Sequence, residues 1–316
     1  MLNTYRVVPF DSKYGTSGPH HNGSTVQSPF QPLAMSSIPA PSSTVPAQDD
    51  VYSLLRERSD LHGQLFDAVQ IQRKLSGPRV LRYGDMQFAS EVFAARFLSG
   101  DFTTFSRDGS KVLAVLGDIA GKGVAAGMWF THLAGLLQSY GRPDFDPARI
   151  AWEINRHLCY LRPVAPFVTA FFAQVDCNRG ALTYCNAGHF PPILLRADGR
   201  TDLLQIGGPL LGALEGAEFQ SGEQMIDPGD TLLAYSDGVV ECRDPAGEEF
   251  GLDRLIASLA QAKQQSAQAT LMMLLAAVQD FANGTPLCDD LSLTVIQREQ
   301  PGLCESAEST IPWFST

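Results

Sequence analysis

Aspartates set beside glycines are the residues of this chain whose types and spacing could do chemistry. They occur as Ser99-Gly100-Asp101, as Gly117-Asp118-Ile119-Ala120-Gly121-Lys122-Gly123, as Ser236-Asp237-Gly238 and as the pair Asp289-Asp290. Each lies at or beside the end of a short apolar, β-branched-rich stretch. Val112-Leu113-Ala114-Val115-Leu116 runs into Asp118, and Thr231-Leu232-Leu233-Ala234-Tyr235 runs into Asp237. Asp289-Asp290 opens Leu291-Ser292-Leu293-Thr294-Val295-Ile296. Strand ends meeting at one point would crowd several carboxylates together, and like charges at short range raise one another's pKa unless a cation lies among them. Ligation by carboxylates, carbonyls and water suits Mg²⁺ or Mn²⁺. Neither His nor Cys recurs at a metal-binding spacing. The chemistry implied is that of a two-metal hydrolase, in which two ions about 4 Å apart lower the pKa of a shared water.

A plainer reading stands beside this one. Asp-Gly and Gly-Asp are common turn dipeptides, and any one of these pairs alone reads as a turn. Other catalytic constellations do not present themselves. No Ser-His-Asp or Cys-His arrangement stands out, and Cys159 is followed by Arg162, too close for a Cys-x5-Arg phosphatase loop. Gly121-Lys122-Gly123 lacks the four-residue spacer and following Ser/Thr of a Walker A loop. Lys122 is either a solvated lysine or a cation that attracts a phosphate. His189 could donate a proton near neutral pH, but Pro191-Pro192 directly after it indicates a fixed turn and a structural role.

The elements that must position these residues can be read from periodicity. Strands are expected at 88–97, 111–116, 168–175, 181–186, 193–195, 231–235 and 291–297. Helices are expected at 125–140, after Asp146-Pro147, at 253–261 and at 266–281. The stretches 168–175 and 181–186, joined through Asn178-Arg179-Gly180, read as an antiparallel hairpin. That weighs against a doubly wound parallel sheet and points to a layered α+β fold. Ahead of these, Asp49 or Asp50 could cap a helix running to Leu75 and ended by Ser76-Gly77-Pro78. Leu54, Leu61, Ala68 and Leu75 repeat in it every seven residues, and Arg58 and Gln72 interrupt the adjoining stripe. It is either an amphipathic helix packed on the domain or a dimerising, signal-transmitting one.

The ordered set of motifs, together with Asn186-Ala187-Gly188-His189-Phe190-Pro191-Pro192 and Gly247-Glu248-Glu249-Phe250-Gly251, resembles the PPM (type-2C) metal-dependent Ser/Thr protein phosphatases. The likeness is to their bacterial SpoIIE/RsbU-like branch, and it runs from about Phe88 to Arg298. The resemblance implies an α-β-β-α sandwich of two antiparallel sheets flanked by helices, holding two Mn²⁺ or Mg²⁺ ions. Carried over by motif, Asp118 would bridge the ions, the Ile119 carbonyl would complete one shell, and Asp101 and Asp237 would hold the second ion. Asp289 or Asp290 would add a further ligand, with Asp289 favoured. The resemblance further implies a bacterial signalling phosphatase for phosphoserine or phosphothreonine, with a phosphorylated anti-sigma-factor antagonist-like domain as substrate. A catalytically inactive scaffold and a hydrolase of small phosphoesters are the alternatives. Ser99, Ser236 and Ile119-Ala120 depart from the usual glycine, threonine and valine-serine, but no carboxylate is lost. The phosphate-clamping arginine of the eukaryotic enzymes has no clear match, and the pattern singles out none of Arg79, Arg82 and Arg96.

Composition bounds the rest. The 316 residues are 44% hydrophobic and 18% charged, enough for a sizeable core, with a net charge of -11 that disfavours a nucleic-acid partner. The six cysteines form no Cys-x-x-Cys pair, Met1 to Asp50 is polar and proline-rich rather than a leader, and no apolar run is long enough to span a bilayer. A cytoplasmic setting with free, mostly buried thiols is expected. The expected organisation is a disordered Pro/Ser-rich tail at 1–48, a linker or regulatory helix at 49–77, a phosphatase domain at 78–298 and a tail at 299–316. A homodimer, or an upstream regulator bound to the helix at 51–75, is a further expectation.

Overall fold

The computed structural model describes residues 48–300, so both expected tails lie essentially outside the described residues. The chain divides into Met1–Tyr52 and Ser53–Thr316. Of the described residues, only the opening of helix α1 (Gln48–Leu75) belongs to the first unit. The second unit is built from two six-stranded sheets lying face to face.

The sheets are filled by apolar runs because both of their faces are covered. In β4 (Lys111–Ile119), Val112, Ala114 and Leu116 join the core between the sheets, while Leu113 and Val115 join the core under helices α2 (Val124–Tyr140) and α3 (Pro147–Tyr160). In β11 (Thr231–Tyr235), Leu232 and Ala234 face the other sheet. Leu233 and Tyr235 face α5 (Gly251–Gln261) and α6 (Ala267–Ala282). Successive side chains point to opposite faces of a strand, so a strand buried on both sides reads as a continuous apolar run. Each Leu, Ile, Val or Phe so buried contributes about 1.5–3 kcal/mol. The layers are therefore helix, sheet, sheet, helix, as the resemblance implied.

The first sheet runs β1 (Val80–Tyr83), β2 (Met86–Phe93), β12 (Leu291–Arg298), β11, β7 (Ile193–Leu195), β8 (Thr201–Leu203). The second runs β10 (Gly222–Met225), β6 (Ala181–Ala187), β5 (Val168–Asp176), β4, β3 (Asp101–Asp108), with β9 (Gly207–Gly208) beside β6. All pairs are antiparallel except β6 with β9, a two-residue parallel addition absent from the expectation. The β5–β6 hairpin turns through Gly180, whose N–H donates to the Asp176 carbonyl at 2.7 Å. Asp146 caps α3, accepting from the Ala148 and Arg149 amides, with Pro147 at the first helical position.

Three differences from the sequence reading have physical causes. The strand expected at 88–97 ends at Phe93, because residues 94–100 turn away to a loop held by Asp290. β3 was unanticipated: its mix of Thr, Ser, Arg and Asp with two phenylalanines carries no clear apolar run. The seven-residue seam of α1 does not act as one stripe. Leu75 packs on the α2–α3 core, whereas Leu61 is 55% exposed. The Leu54 side chain lies outside the described residues. Among the described residues no helix is long and apolar enough to cross a membrane.

Candidate metal centre

The four acidic segments gather at one end of the sandwich, two from each sheet. β3 and β4 are antiparallel neighbours in which Asp101 lies directly opposite Asp118. In the other sheet Tyr235 lies opposite Leu293, so Asp237, just past β11, and Asp289, just before β12, share an end. Asp237 opens a four-residue helix, α4 (Asp237–Val240), that packs against β12.

Burial and mutual repulsion dominate the electrostatics here. Asp101 is only 4% exposed, and its Oδ2 has no hydrogen-bond partner. Burial first, and then the charge of Asp118, push its pKa well above the ordinary carboxylate range, while the Ser236 and Ser292 hydroxyls pull the other way. Asp118 is raised to about 6, by burial and then by Asp237 and Asp289. Asp237 is raised too, by burial and by Asp289. A buried acceptor without a donor is costly, and here it sits among carboxylates that disfavour one another's ionisation.

Backbone oxygens add to the cluster. A side chain on Gly100 would place its Cβ 2.8 Å from the Ile119 carbonyl oxygen, 3.1 Å from that of Gly121 and 3.3 Å from Asp118 Oδ1. Three oxygens therefore converge on a space only glycine leaves open. Gly121 and Gly123 have φ of 119° and 73°, which carries the chain sharply from Ile119 into α2. No three His, Cys, Asp or Glu side chains among the described residues close tightly on one point. The donor set, hard oxygens around an orphaned carboxylate, fits a divalent cation.

The adjacent aspartates are not equivalent. Asp290 is buried, and its Oδ2 accepts from the Ser99 hydroxyl at 2.8 Å and the Gly100 amide at 2.7 Å, while Oδ1 accepts from the Ala95 amide at 2.8 Å. Its carboxylate is engaged in holding the loop that carries Asp101. Asp289 is about 39% exposed and accepts from Lys122 at 2.7 Å. Lys122 thus does not stand free to meet a phosphate; its ammonium also donates to the Cys288 carbonyl at 3.0 Å.

Gln72, noted in the sequence only as an interruption of a stripe, has a place in the site. Its side-chain amide donates to the Ser99 carbonyl at 2.8 Å and accepts from the Ser99 amide at 3.3 Å. This two-way clamp ties the end of α1 to the loop before Asp101, and an isolated glutamine gives no sequence signal for it. Of the three arginines, Arg79 pairs with Glu91 and Arg82 with Glu299. Arg96 forms no ion pair among the described residues and lines, with Asp101, a cleft of about 260 Å³. His189 is buried and neutral, its pKa lowered to about 4 by burial, with Nδ1 2.8 Å from Thr169 Oγ1. Thr169 lies opposite Asp118 in the sheet, so His189 braces that strand rather than donating protons at neutral pH. Cys242 is buried as expected, but Cys288 is exposed.

Comparison with known proteins identifies the family and the fold. The family described as Stage II sporulation protein E (SpoIIE) matches residues 108–299. Phosphoserine phosphatase RsbU of Bacillus subtilis is 25% identical over 245 residues, which cover 77% of this chain and 72% of RsbU. Two further curated relatives, 31% and 30% identical, are covered over only 30% and 43% of their own length. Among solved structures, the SiaA-PP2C domain of Pseudomonas aeruginosa superposes with a TM-score of 0.67 at 18% identity, covering 77% of this chain and 99% of that one. RsbX in complex with magnesium superposes at 0.53 with 16% identity, covering 70% and 98%. The fold is that of the PP2C phosphatases, and the chain belongs to the SpoIIE family.

Proposed function

We propose that this chain is a divalent-metal-dependent phosphoserine/phosphothreonine protein phosphatase of bacterial signalling. The observation that carries the reading is the gathering of Asp101, Asp118, Asp237 and Asp289 from both sheets, with Asp101 Oδ2 buried and unpartnered. Asp118 and the Ile119 carbonyl would hold one ion, Asp101 and Asp237 the other, with Asp118 between them and Asp289 rather than Asp290 as the last ligand. Two Mn²⁺ or Mg²⁺ ions held there supply an activated water and neutralise phosphoryl oxygens. The protein groups do the rest. Asp290 and Gln72 fix the loop bearing Asp101, and the turn through Gly121 and Gly123 aims the Ile119 carbonyl. Arg96, at the cleft beside Asp101, is the arginine free to orient a phosphate.

The kinship with a phosphoserine phosphatase supports a phosphorylated protein as substrate, and a domain like an anti-sigma-factor antagonist is the one proposed. We assign α1 the regulatory surface, for a second subunit or an upstream protein, because Leu61, Phe66 and Ile71 are exposed on it. The test is phosphate release from such a phosphorylated domain against a small aryl phosphate at matched concentration, with and without chelator. The reading expects protein substrate to be preferred and chelator to stop turnover. Full turnover in chelator overturns the metal assignment, and preference for the small ester overturns the substrate class.

A further inference from the structure

Lys122 stands at the tip of the turn that follows Asp118, and its ammonium is spent on Asp289. Nζ meets Asp289 Oδ2 at 2.7 Å, and Asp289 Oδ1 accepts the Asp290 amide at 2.9 Å. The oxygen that would serve a divalent ion therefore already carries a cation. We infer that Lys122 is an exchangeable counter-ion. It neutralises Asp289 until a divalent ion takes that carboxylate, and it then swings free to meet the substrate phosphate. The inference rests on the two-ion reading of the site.

Three features suit Lys122 to exchange rather than to permanent pairing. The side chains of Lys122 and Asp289 are 40% and 39% exposed, and exposed pairs of this kind are weak. An ammonium is a compact charge with rotatable donors on a flexible stem, so it can re-aim without a fixed fork geometry. Its other partner is the Cys288 carbonyl, a neutral contact that water replaces readily. Asp290 shows the contrast: its three donors include two backbone amides, and it is buried, so it has no freedom to trade partners.

The inference predicts a rise in the exposure of Lys122 when the ion binds. Acylation of the full chain with acetic anhydride, quantified at each lysine by mass spectrometry, reads this directly. With Mg²⁺ binding verified by calorimetry, labelling of Lys122 should rise severalfold while that of Lys111 and Lys263 stays constant. Unchanged or reduced labelling of Lys122 overturns the exchange. Mn²⁺ titration provides the second reading. Lys122→Gln should tighten the weaker ion by about threefold to fivefold, the equivalent of a weak exposed pair, whereas Lys122→Arg, a cation whose fork can grip the carboxylate with two bonds, should not tighten it. Arg96→Gln, which removes a nearby charge that is not on Asp289, should change the affinity less. Equal tightening by both glutamine variants would reduce Lys122 to a general field effect and overturn the inference. If calorimetry finds no ion bound, the two-ion reading falls, and the exchange with it; if the ion binds and Lys122 does not move, only the exchange falls.

Discussion

Replacing Asp118 with asparagine should make the chelated protein more stable while removing its activity. The carboxyl of Asp118 is raised from 3.8 to about 6 by burial and by Asp237 and Asp289. About two pKa units at 1.36 kcal/mol each give a penalty near 3 kcal/mol for keeping that charge at neutral pH. Asparagine keeps the shape and loses the charge, but a buried amide still pays part of the desolvation, and the contact with the Asp101 carboxyl is altered. A net gain of about 1–2 kcal/mol is expected, which for a domain of this size raises Tm by about 3–6 °C. Because the folded-state pKa lies above the unfolded one, the native state binds the proton more tightly. Wild-type stability in chelator should therefore grow as pH falls from above 6 toward 4 and decline as pH rises. The assay is thermal melting in chelator at pH 7.5 and pH 5, repeated with Mg²⁺. Asp118→Asn should melt higher than wild type at pH 7.5, lose much of the pH dependence, and fail to gain from Mg²⁺. Wild type should gain about 2.7 kcal/mol at a hundredfold excess over Kd. A variant that melts lower in chelator at pH 7.5 would refute the reasoning, because Asp118 would then be a stabilising partner rather than a strained ligand.

Asp289→Asn should abolish metal-dependent turnover with little change in Tm, whereas Asp290→Ala should lower Tm by several degrees, since it strands the buried Ser99 hydroxyl and Gly100 amide; melting and initial rates on both variants decide it. Gly100→Ala should remove measurable activity and metal binding together, because its Cβ would press on the Ile119 carbonyl at 2.8 Å; binding at wild-type affinity would refute the cradle. Leu61→Glu, at a position 55% exposed, should leave the fold intact and change oligomeric state and rate, read by light scattering beside turnover.

Much of the fold was legible because its strands are buried on both faces. The runs 111–116, 193–195 and 231–235 needed no tertiary information, and they fall within or match β4, β7 and β11. β3 was not legible, because Thr103, Thr104 and Ser106 break its apolar pattern, and its pairing with β4 supplies what its side chains do not announce. The seam of α1 was legible only in part. A seven-residue spacing says which residues share a stripe, but not that the domain covers only the Leu75 end of it.

The acidic residues themselves were visible from their place at strand ends, but their division of labour was not. Asp289 and Asp290 are identical in type and adjacent in sequence, and both lie in the bend just before β12, where no strand periodicity assigns their faces. One is turned toward solvent and a lysine, the other into three donors from the 95–100 loop. The same separation accounts for the loop itself. Ser99 is held from below by Asp290 and from the side by Gln72, so Asp101 enters the site on a segment fixed by both the opposite sheet and α1. A signal that moves α1 would reach Asp101 through Gln72 without crossing the core. The residues that set the geometry of the site are thus a glutamine and an aspartate that need touch neither metal nor substrate, and a search of the sequence for ligand types alone passes over them.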